Sequence, residues 1–320
     1  MTQHDLASRR DFLRGVGAAA LVAGVGPLGP VCAADEKSAG GGFRVVHLSD
    51  IHLMNQRRSP AGLAACLDAV MKLDPEPAFL MTGGDQCDNL RAEDLKGATA
   101  RLDLFLRIWR DHTNLPTYHC LGNHDPAGWS NKDFPRDHPQ FGMKLMIDKL
   151  EMQGPYYSFD HGGWHFVVLD NIKLTTPGQF IAEFAAEQLA FLRQDLGRHK
   201  SAPTVIVCHV PPISVLEFLG GRAQAGEAAW TLPYTRVSKN PMALLNVLKE
   251  GNVKLVLSGH IHHVERIDTH GCTFICGGAV AGNWWQGPLR GCPEGFGILD
   301  CRPDGSFEYR YESFGWKASA

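Results

Sequence analysis

Five short blocks hold the residues best suited to chemistry: Asp50-Ile51-His52, Gly84-Asp85, Gly122-Asn123-His124-Asp125, Cys208-His209 and Gly259-His260-Ile261-His262. Read in order they give D-x-H, G-D, G-N-H-D, H and G-H-x-H. Asp50, His52, Asp85, Asn123, His209, His260 and His262 supply two carboxylates, an amide and four imidazoles. Such a set suffices for two metal ions that share one bridging carboxylate, and His124 is left over for proton transfer. Mixed oxygen and nitrogen donors suit Fe, Mn, Zn or Co, with Fe, Mn or Zn the expected occupants. A pair of such ions generates a hydroxide nucleophile and clamps a phosphoryl group, so these residue types point to hydrolysis of a phosphate ester.

Each block ends an apolar, strand-like run. Phe43–Leu48, Ala78–Met81 and Thr117–Leu121 read as strands, with helices over Pro60–Leu73 and Glu93–Trp109 between them. This strand–helix–strand–helix–strand order predicts a partly parallel sheet with crossover helices. The second half starts with a hairpin, Tyr156–Phe159 and Trp164–Leu169 around the turn Asp160-His161-Gly162-Gly163. A helix over Phe184–Leu196, a strand over Thr204–Cys208, a helix over Pro241–Leu248 and a strand over Val253–Leu257 follow. Four short strands then close the chain: Val264–Asp268, Cys272–Cys276, Gly295–Cys301 and Ser306–Tyr311. The Gly/Ala-rich stretch Leu219–Leu232 reads as an irregular loop or a lid.

The five blocks, in this order and each after a strand, resemble the calcineurin-like metallophosphoesterase superfamily. The resemblance implies an α/β fold: a four-layer α-β-β-α sandwich of two mixed sheets packed face to face, helices outside. It implies one ion on Asp50, His52, Asp85 and His262, a second on Asp85, Asn123, His209 and His260, and His124 as the general acid. Asp88 matches the carboxylate that orients that histidine, with Asp125 as the alternative. Purple acid phosphatases carry Tyr where this chain has Asp88, so no purple centre is expected. The protein phosphatase branch reads G-D-x-x-D-R-G. Here Asn89 and Leu90 replace its Arg and final Gly, which argues against a protein phosphatase. The layout looks most like the bacterial cyclic-nucleotide and glycerophosphodiester branch. A small-molecule phosphodiester is the expected substrate. A broad phosphomonoesterase is the alternative, and a metal-free scaffold of the same fold the remaining one.

Ser8-Arg9-Arg10-Asp11-Phe12-Leu13-Arg14 resembles a twin-arginine export motif, and a Gly/Ala-rich stretch and Val31-Cys32-Ala33-Ala34 follow it. Residues 1–34 therefore read as a signal peptide, 35–42 as a linker and 43–320 as the metallophosphoesterase domain, with 264–320 a β-rich C-terminal portion. The twin-arginine translocase is an expected partner, and the periplasm or exterior the expected location. A net charge of -3 leaves no basic footprint for nucleic acid, and no apolar run reaches the length of a membrane anchor. Oxidising surroundings make Cys272, Cys276, Cys292 and Cys301 the better disulfide candidates among the eight cysteines beyond Cys32. Cys120 and Cys208 read as core. His47 reads as a satisfied core histidine and His119 as another strand residue. His112, His161, His199 and His270 read as surface. The pair Trp284-Trp285 is poor core material and can line a substrate pocket. Asn55 and Arg57 stand near the first block and most simply face solvent.

Overall fold

Val45 and Val46 are adjacent in sequence and both fully buried, which a strand permits only when both its faces are covered. That condition runs through the molecule. The computed structural model describes residues 41–220, 224–226 and 230–318. The expected signal segment 1–34 and most of the linker 35–42 lie outside the described residues. In chain order the elements are β1 (Phe43–Leu48), α1 (Ser59–Val70), β2 (Phe79–Gly83), α2 (Leu95–His112), β3 (Thr117–Cys120), α3 (Lys144–Lys149), β4 (Tyr157–His161) and β5 (Trp164–Val168). Next come β6 (Ile172–Leu174), β7 (Phe180–Ala182), α4 (Ala186–Arg198), β8 (Thr204–Val207), α5 (Leu216–Leu219), β9 (Gln224–Ala225), β10 (Trp230–Thr231) and α6 (Pro241–Leu248). The chain ends with β11 (Val253–Ser258), β12 (Val264–Thr269), β13 (Cys272–Gly277), β14 (Gly295–Cys301) and β15 (Phe307–Ser313).

Two mixed sheets result. One has the order β15-β14-β1-β2-β3, with β1, β2 and β3 parallel and β14 and β15 antiparallel to their neighbours. The other has the order β12-β13-β11-β8-β5-β4, with parallel pairs among β13, β11, β8 and β5 and antiparallel strands at both edges. The last four strands are shared between the sheets: β12 and β13 in one, β14 and β15 in the other. Val45, Phe79 and Met81 from the first sheet pack on Phe166, Val205 and Leu257 from the second, forming the inner core. Alternation along each strand sends the neighbouring residues outward. Val46, Leu48 and Leu80 meet Leu63, Leu67, Leu102 and Phe105 of α1 and α2. Val167, Ile206 and Val256 meet Leu192, Leu196, Leu244 and Leu248 of α4 and α6. The four layers expected from the sequence are therefore present.

Local signals set the helix starts. Pro60 occupies the first turn of α1 and Pro241 that of α6. The Asp94 side chain accepts the Gly97 N–H at 2.7 Å, capping α2 two residues later than the sequence pattern places its start. Gly162 and Gly163, at φ 57° and 81°, make the turn between β4 and β5. The ribbon β6–β7 and the helix α3, with strands of three residues and a helix of six, are too short to show a period beforehand. Within Leu219–Leu232, β9 and β10 form a small antiparallel ribbon. The eight described cysteines are unpaired and buried, including the four C-terminal ones expected to bridge. Burial raises Cys66, Cys208 and Cys276 and keeps them inert thiols.

Candidate metal centre

Parallel strands end on the same side of a sheet, and every block follows such an end. Asp50 and His52 lie just beyond β1, Asp85 beyond β2, Asn123 and His124 beyond β3, His209 beyond β8, and His260 and His262 beyond β11. A chain leaving a buried strand must turn at once to place these side chains together. Asp50, His52, Asp85, His260 and His262 all adopt left-handed backbone, with φ of 53°, 43°, 54°, 70° and 53°. For L residues that conformation costs about 1–2 kcal/mol each, and such strain concentrates at functional sites. Two glycines allow the close approach. A Cβ at Gly122 would collide with Asp85, and one at Gly259 with Ser49 and Asp50.

The hydrogen bonds show which nitrogens carry protons. His262 Nδ1 faces the Gly282 carbonyl at 2.6 Å, and His209 Nδ1 faces the Gly83 carbonyl at 2.7 Å. Both rings therefore donate there and turn Nε2 toward the cluster. His262 Nε2 lies 3.0 Å from His52 Nε2 and 3.3 Å from Asp50 Oδ1. His209 Nε2 lies 3.1 Å from Asn123 Oδ1 and 3.2 Å from Asp85 Oδ2. Asp85 Oδ2 is also 3.6 Å from His52 Nε2, so this carboxylate reaches both groups. Asp50 Oδ2 accepts from Ser49 Oγ at 2.6 Å and from the His260 N–H at 2.8 Å, leaving Oδ1 buried without a partner. Ring nitrogens of His52, His262 and His209 and oxygens of Asp50, Asp85 and Asn123 thus converge at about 3 Å, the spacing of neighbouring ligands on a cation about 2.1 Å away. His260 Nε2 lies 2.8 Å from the Thr235 carbonyl and 3.2 Å from Arg236 Nη1, and its ring comes close enough to Asp85 and His209 to share an ion with them. Asp50, His52 and His262 can hold one ion, and Asp85, His209 and His260 another.

The electrostatics agree. Burial alone would raise Asp50, but His262 and His52 hold it well below the usual carboxylate range. Burial would lower His52 and His209, yet hydrogen bonding to Asp50 and Asp88 and the Asp85 charge carry His52 up to about 10. Asp85 carries His209 up to about 9. The carboxylates therefore draw positive charge into the cluster, and metal ions compete with protons for it.

His124 sits beside the cluster, its ring 4.7 Å from that of His52 and its backbone N–H on Asp85 Oδ1 at 2.7 Å. Its Nδ1 accepts the Asn89 N–H at 3.3 Å. Asp88 Oδ1 lies 3.5 Å from His124 Nδ1 and 3.4 Å from His52 Nδ1, so it stands behind both rings rather than one. Asp125 does not face His124. Its carboxylate accepts the N–H groups of Gly122, Asp85 and Gln86 at 2.7, 2.9 and 3.1 Å, tying two loops together. Burial, then the Asp85 charge, pushes it up to about 7.

A cleft of about 330 Å³ opens above these residues, walled by His124, Arg91, Phe180, Arg236 and Trp284. The two tryptophans separate. Trp284 stacks on His262 at 4.4 Å and faces the cleft, its carbonyl held by Arg57 at 3.0 Å. Trp285 is core, 1% exposed, and its Nε1 donates to the Ile51 and His52 carbonyls at 3.0 and 3.2 Å. His47 is fully buried, but neither ring nitrogen has a partner, and burial lowers it to about 4. Arg91 was not legible from the sequence. The protein phosphatase arginine position holds Asn89, yet the 3₁₀ turn Leu90–Ala92 returns a guanidinium to the same cleft two residues later. Arg236 was missed as well, since its stretch carries no motif.

The sequence profile of calcineurin-like phosphoesterases matches residues 43–264, every block included. A probable cyclic nucleotide phosphodiesterase of Rhodococcus erythropolis is 22% identical over 225 residues, 68% of this chain and 64% of that protein. A cAMP/cGMP dual specificity phosphodiesterase of Mycobacterium tuberculosis is 23% identical over 229 residues, 69% of this chain and 62% of that protein. The chain thus spans less than two thirds of either relative. A dimetal phosphatase from Danio rerio shares the fold with a TM-score of 0.59 at 17% identity, over 85% of this chain and 96% of that one. PhoD does so with a TM-score of 0.56 at 12% identity, over 83% of this chain and 65% of that one. From the ordered blocks, the two packed sheets and the profile spanning both, the chain belongs to the calcineurin-like phosphoesterase family.

Proposed function

We propose that this chain hydrolyses phosphate esters, and diesters in preference to monoesters, with two ions drawn from Fe, Mn and Zn. Asp50, His52, Asp85 and His262 would hold one, and Asp85, Asn123, His209 and His260 the other, with Asp85 bridging. The observation that carries this reading is the convergence of carboxylate, amide and imidazole ligand atoms from both sheets on one buried spot. Bound there, the ions would lower the pKa of a water to supply the nucleophile and offset charge on the phosphoryl group.

The chain's own residues do the rest. Gly282 and Gly83 carbonyls fix the tautomers of His262 and His209. His124 is the general acid. Its Nδ1 is held beside Asp88 and the Asn89 N–H, which leaves Nε2 to give a proton to the departing oxygen. Trp284 and Phe180 shape an aromatic wall on which an organic substituent rests. The names of the two bacterial relatives support a phosphodiester, with cyclic nucleotides one class to be tried. Export by the twin-arginine route, to the periplasm or beyond, is part of the proposal and rests on Ser8–Arg14, the Gly/Ala-rich stretch after it and Val31-Cys32-Ala33-Ala34.

Turnover of bis(p-nitrophenyl) phosphate beside p-nitrophenyl phosphate tests it, using protein reconstituted separately with Mn, Zn and Fe. Faster diester turnover that vanishes in Asp85→Ala is the expected result. Preference for the monoester would make the protein a phosphomonoesterase, and failure to bind metal would make it a scaffold.

A further inference from the structure

Two arginines wall the cleft, and their charges differ in availability. Arg236 Nη2 and Nε bond the carboxylate of buried Glu217 at 2.8 and 3.0 Å, so its charge is already matched. Arg91 has no such partner. Its Nε is buried without a hydrogen bond, and among the described residues no acidic side chain pairs with it. A half-buried guanidinium in a cleft, unmatched by any carboxylate, calls for an anion.

The placement of Arg91 is fixed by its backbone. Its carbonyl accepts the Ser130 N–H at 2.8 Å, and the carbonyl of fully buried Leu90 accepts the Gly128 N–H at 3.0 Å. Two residues earlier, the Asn89 N–H meets His124 Nδ1. Arg91 therefore stands on the wall that carries His124, the side from which the departing oxygen is protonated. An anion reaching Arg91 belongs to the leaving portion of the substrate, not to the part retained across the cleft.

We propose that Arg91 binds an anionic substituent on the leaving group, so that the site selects phosphate esters whose departing alcohol carries a carboxylate or a phosphate. This rests on the hydrolytic reading above and on the role given there to His124. A charge-assisted hydrogen bond of this kind separates charged from neutral substrates by about ten- to a hundredfold.

The test uses metal-loaded full-length protein and three methyl aryl phosphates with 4-carbamoyl, 4-carboxy or 4-phosphonomethyl groups on the departing phenol. The wild type is expected to prefer one or both charged esters in kcat/KM by that factor, through KM, and the better of the two names the anion. In Arg91→Gln the three esters should become equal, while Arg91→Lys keeps part of the preference. A wild type without preference overturns the proposal. So does an Arg91→Gln loss of the same factor on all three esters, which would put Arg91 on the phosphoryl group. Calorimetric binding of the three free phenols to both proteins supplies a readout independent of turnover. Selective binding of the charged phenols, weakened tenfold or more in Arg91→Gln, with no ester hydrolysed, would leave the anion site standing and sink the hydrolytic reading. Equal binding of all three phenols to the wild type would sink the anion site.

Discussion

Among the described residues, two clusters of histidine and aspartate behave oppositely. Beyond the metal centre, His165 of β5 lies between Asp160 and Asp195, with Nδ1 2.8 Å from Asp160 Oδ1 and Nε2 2.9 Å from Asp195 Oδ2. His199 stacks on it, centroids 3.8 Å apart and planes 13° from parallel, and its Nδ1 bonds the Asp195 carbonyl at 2.9 Å. Asp160, His165 and His199 come close enough to share an ion. Yet His165 as an imidazolium donates to both carboxylates, which leaves no lone pair wanting a cation. Nearly parallel rings also cannot aim two in-plane lone pairs at one point. In the cluster at the strand ends, His262 and His209 turn Nδ1 to backbone carbonyls and present Nε2 to the carboxylates. Residue type is the same in both places; proton accounting separates a metal centre from an ion-paired latch between the β4–β5 hairpin and α4.

The comparison breaks first on metal content. Asp85→Asn should lose at least about 10³-fold in turnover, several kcal/mol of transition-state stabilisation, and should lower bound metal measured by mass spectrometry. Asp195→Asn should retain metal and turnover but lose about 3 kcal/mol in urea denaturation, the low end for an interior ion pair left with one partner. A fall in metal content in Asp195→Asn would show that the latch is a metal site after all.

Next in size is the proton donor. His124→Gln should lower kcat by about 10²–10⁴-fold for esters of aliphatic alcohols, and much less for p-nitrophenyl esters, whose leaving group needs no proton. His52, Asp85 and His124 come close enough to share an ion, so unchanged metal content in this variant is the result that keeps His124 a proton donor and not a ligand. Asp88→Asn should cost about 10–100-fold and also weaken metal binding, because Asp88 stands behind His52 as well as His124. Equal losses on both ester types in His124→Gln would remove it from proton transfer.

The latch also carries a titration of its own. Burial would lower His165, but Asp195 and Asp160 raise it above its unfolded value. Its contribution is complete below the unfolded value of about 6.5 and is lost as pH rises through the folded one. Burial would raise Asp195, but His165 depresses it, so its contribution holds above about 3.9 and is lost as pH falls through the folded value. The stability difference between wild type and His165→Gln should therefore be greatest between these limits and shrink steadily toward pH 9. A difference independent of pH would mean His165 acts by packing alone.

What the sequence disclosed follows from how local each signal is. Strand ends, helix starts and the Gly162-Gly163 turn are set by neighbours in the chain, so β1 and α6 have the bounds the pattern predicts. The ligand blocks were legible because each is a short run after a strand. Features decided by distant contacts were not. Trp285 joins the core because Gly62 on α1 leaves room for its ring, 223 residues away along the chain (285 less 62). Asp125 is drawn to three amides of two loops instead of to the neighbouring His124. The latch joins two carboxylates 35 residues apart (195 less 160), and no motif marks either. Export predicts paired cysteines, but Cys272 and Cys276 lie on a strand buried along its whole length, where a thiol packs as a small apolar group.

The smallest effect expected concerns how the metal centre keeps its strained backbone. The latch is satisfied by its own side chains, whereas Asp50 and His52 sit at positive φ and depend on support from outside their loop. Trp285 gives that support through Nε1 to the Ile51 and His52 carbonyls, with its ring edge-on to Trp316 at 5.7 Å. Trp285→Phe keeps much of the apolar burial and removes the donor, at a cost of about 1–2 kcal/mol. The β1 side of the site should then bind its ion less tightly, by up to about tenfold, while the side built on β8 and β11 is spared. Metal titration of the variant should resolve one weakened and one unchanged affinity. Two unchanged affinities with the same loss of stability would mean that packing from α1 and the strand ladder, without this hydrogen bond, holds Asp50 and His52 in place.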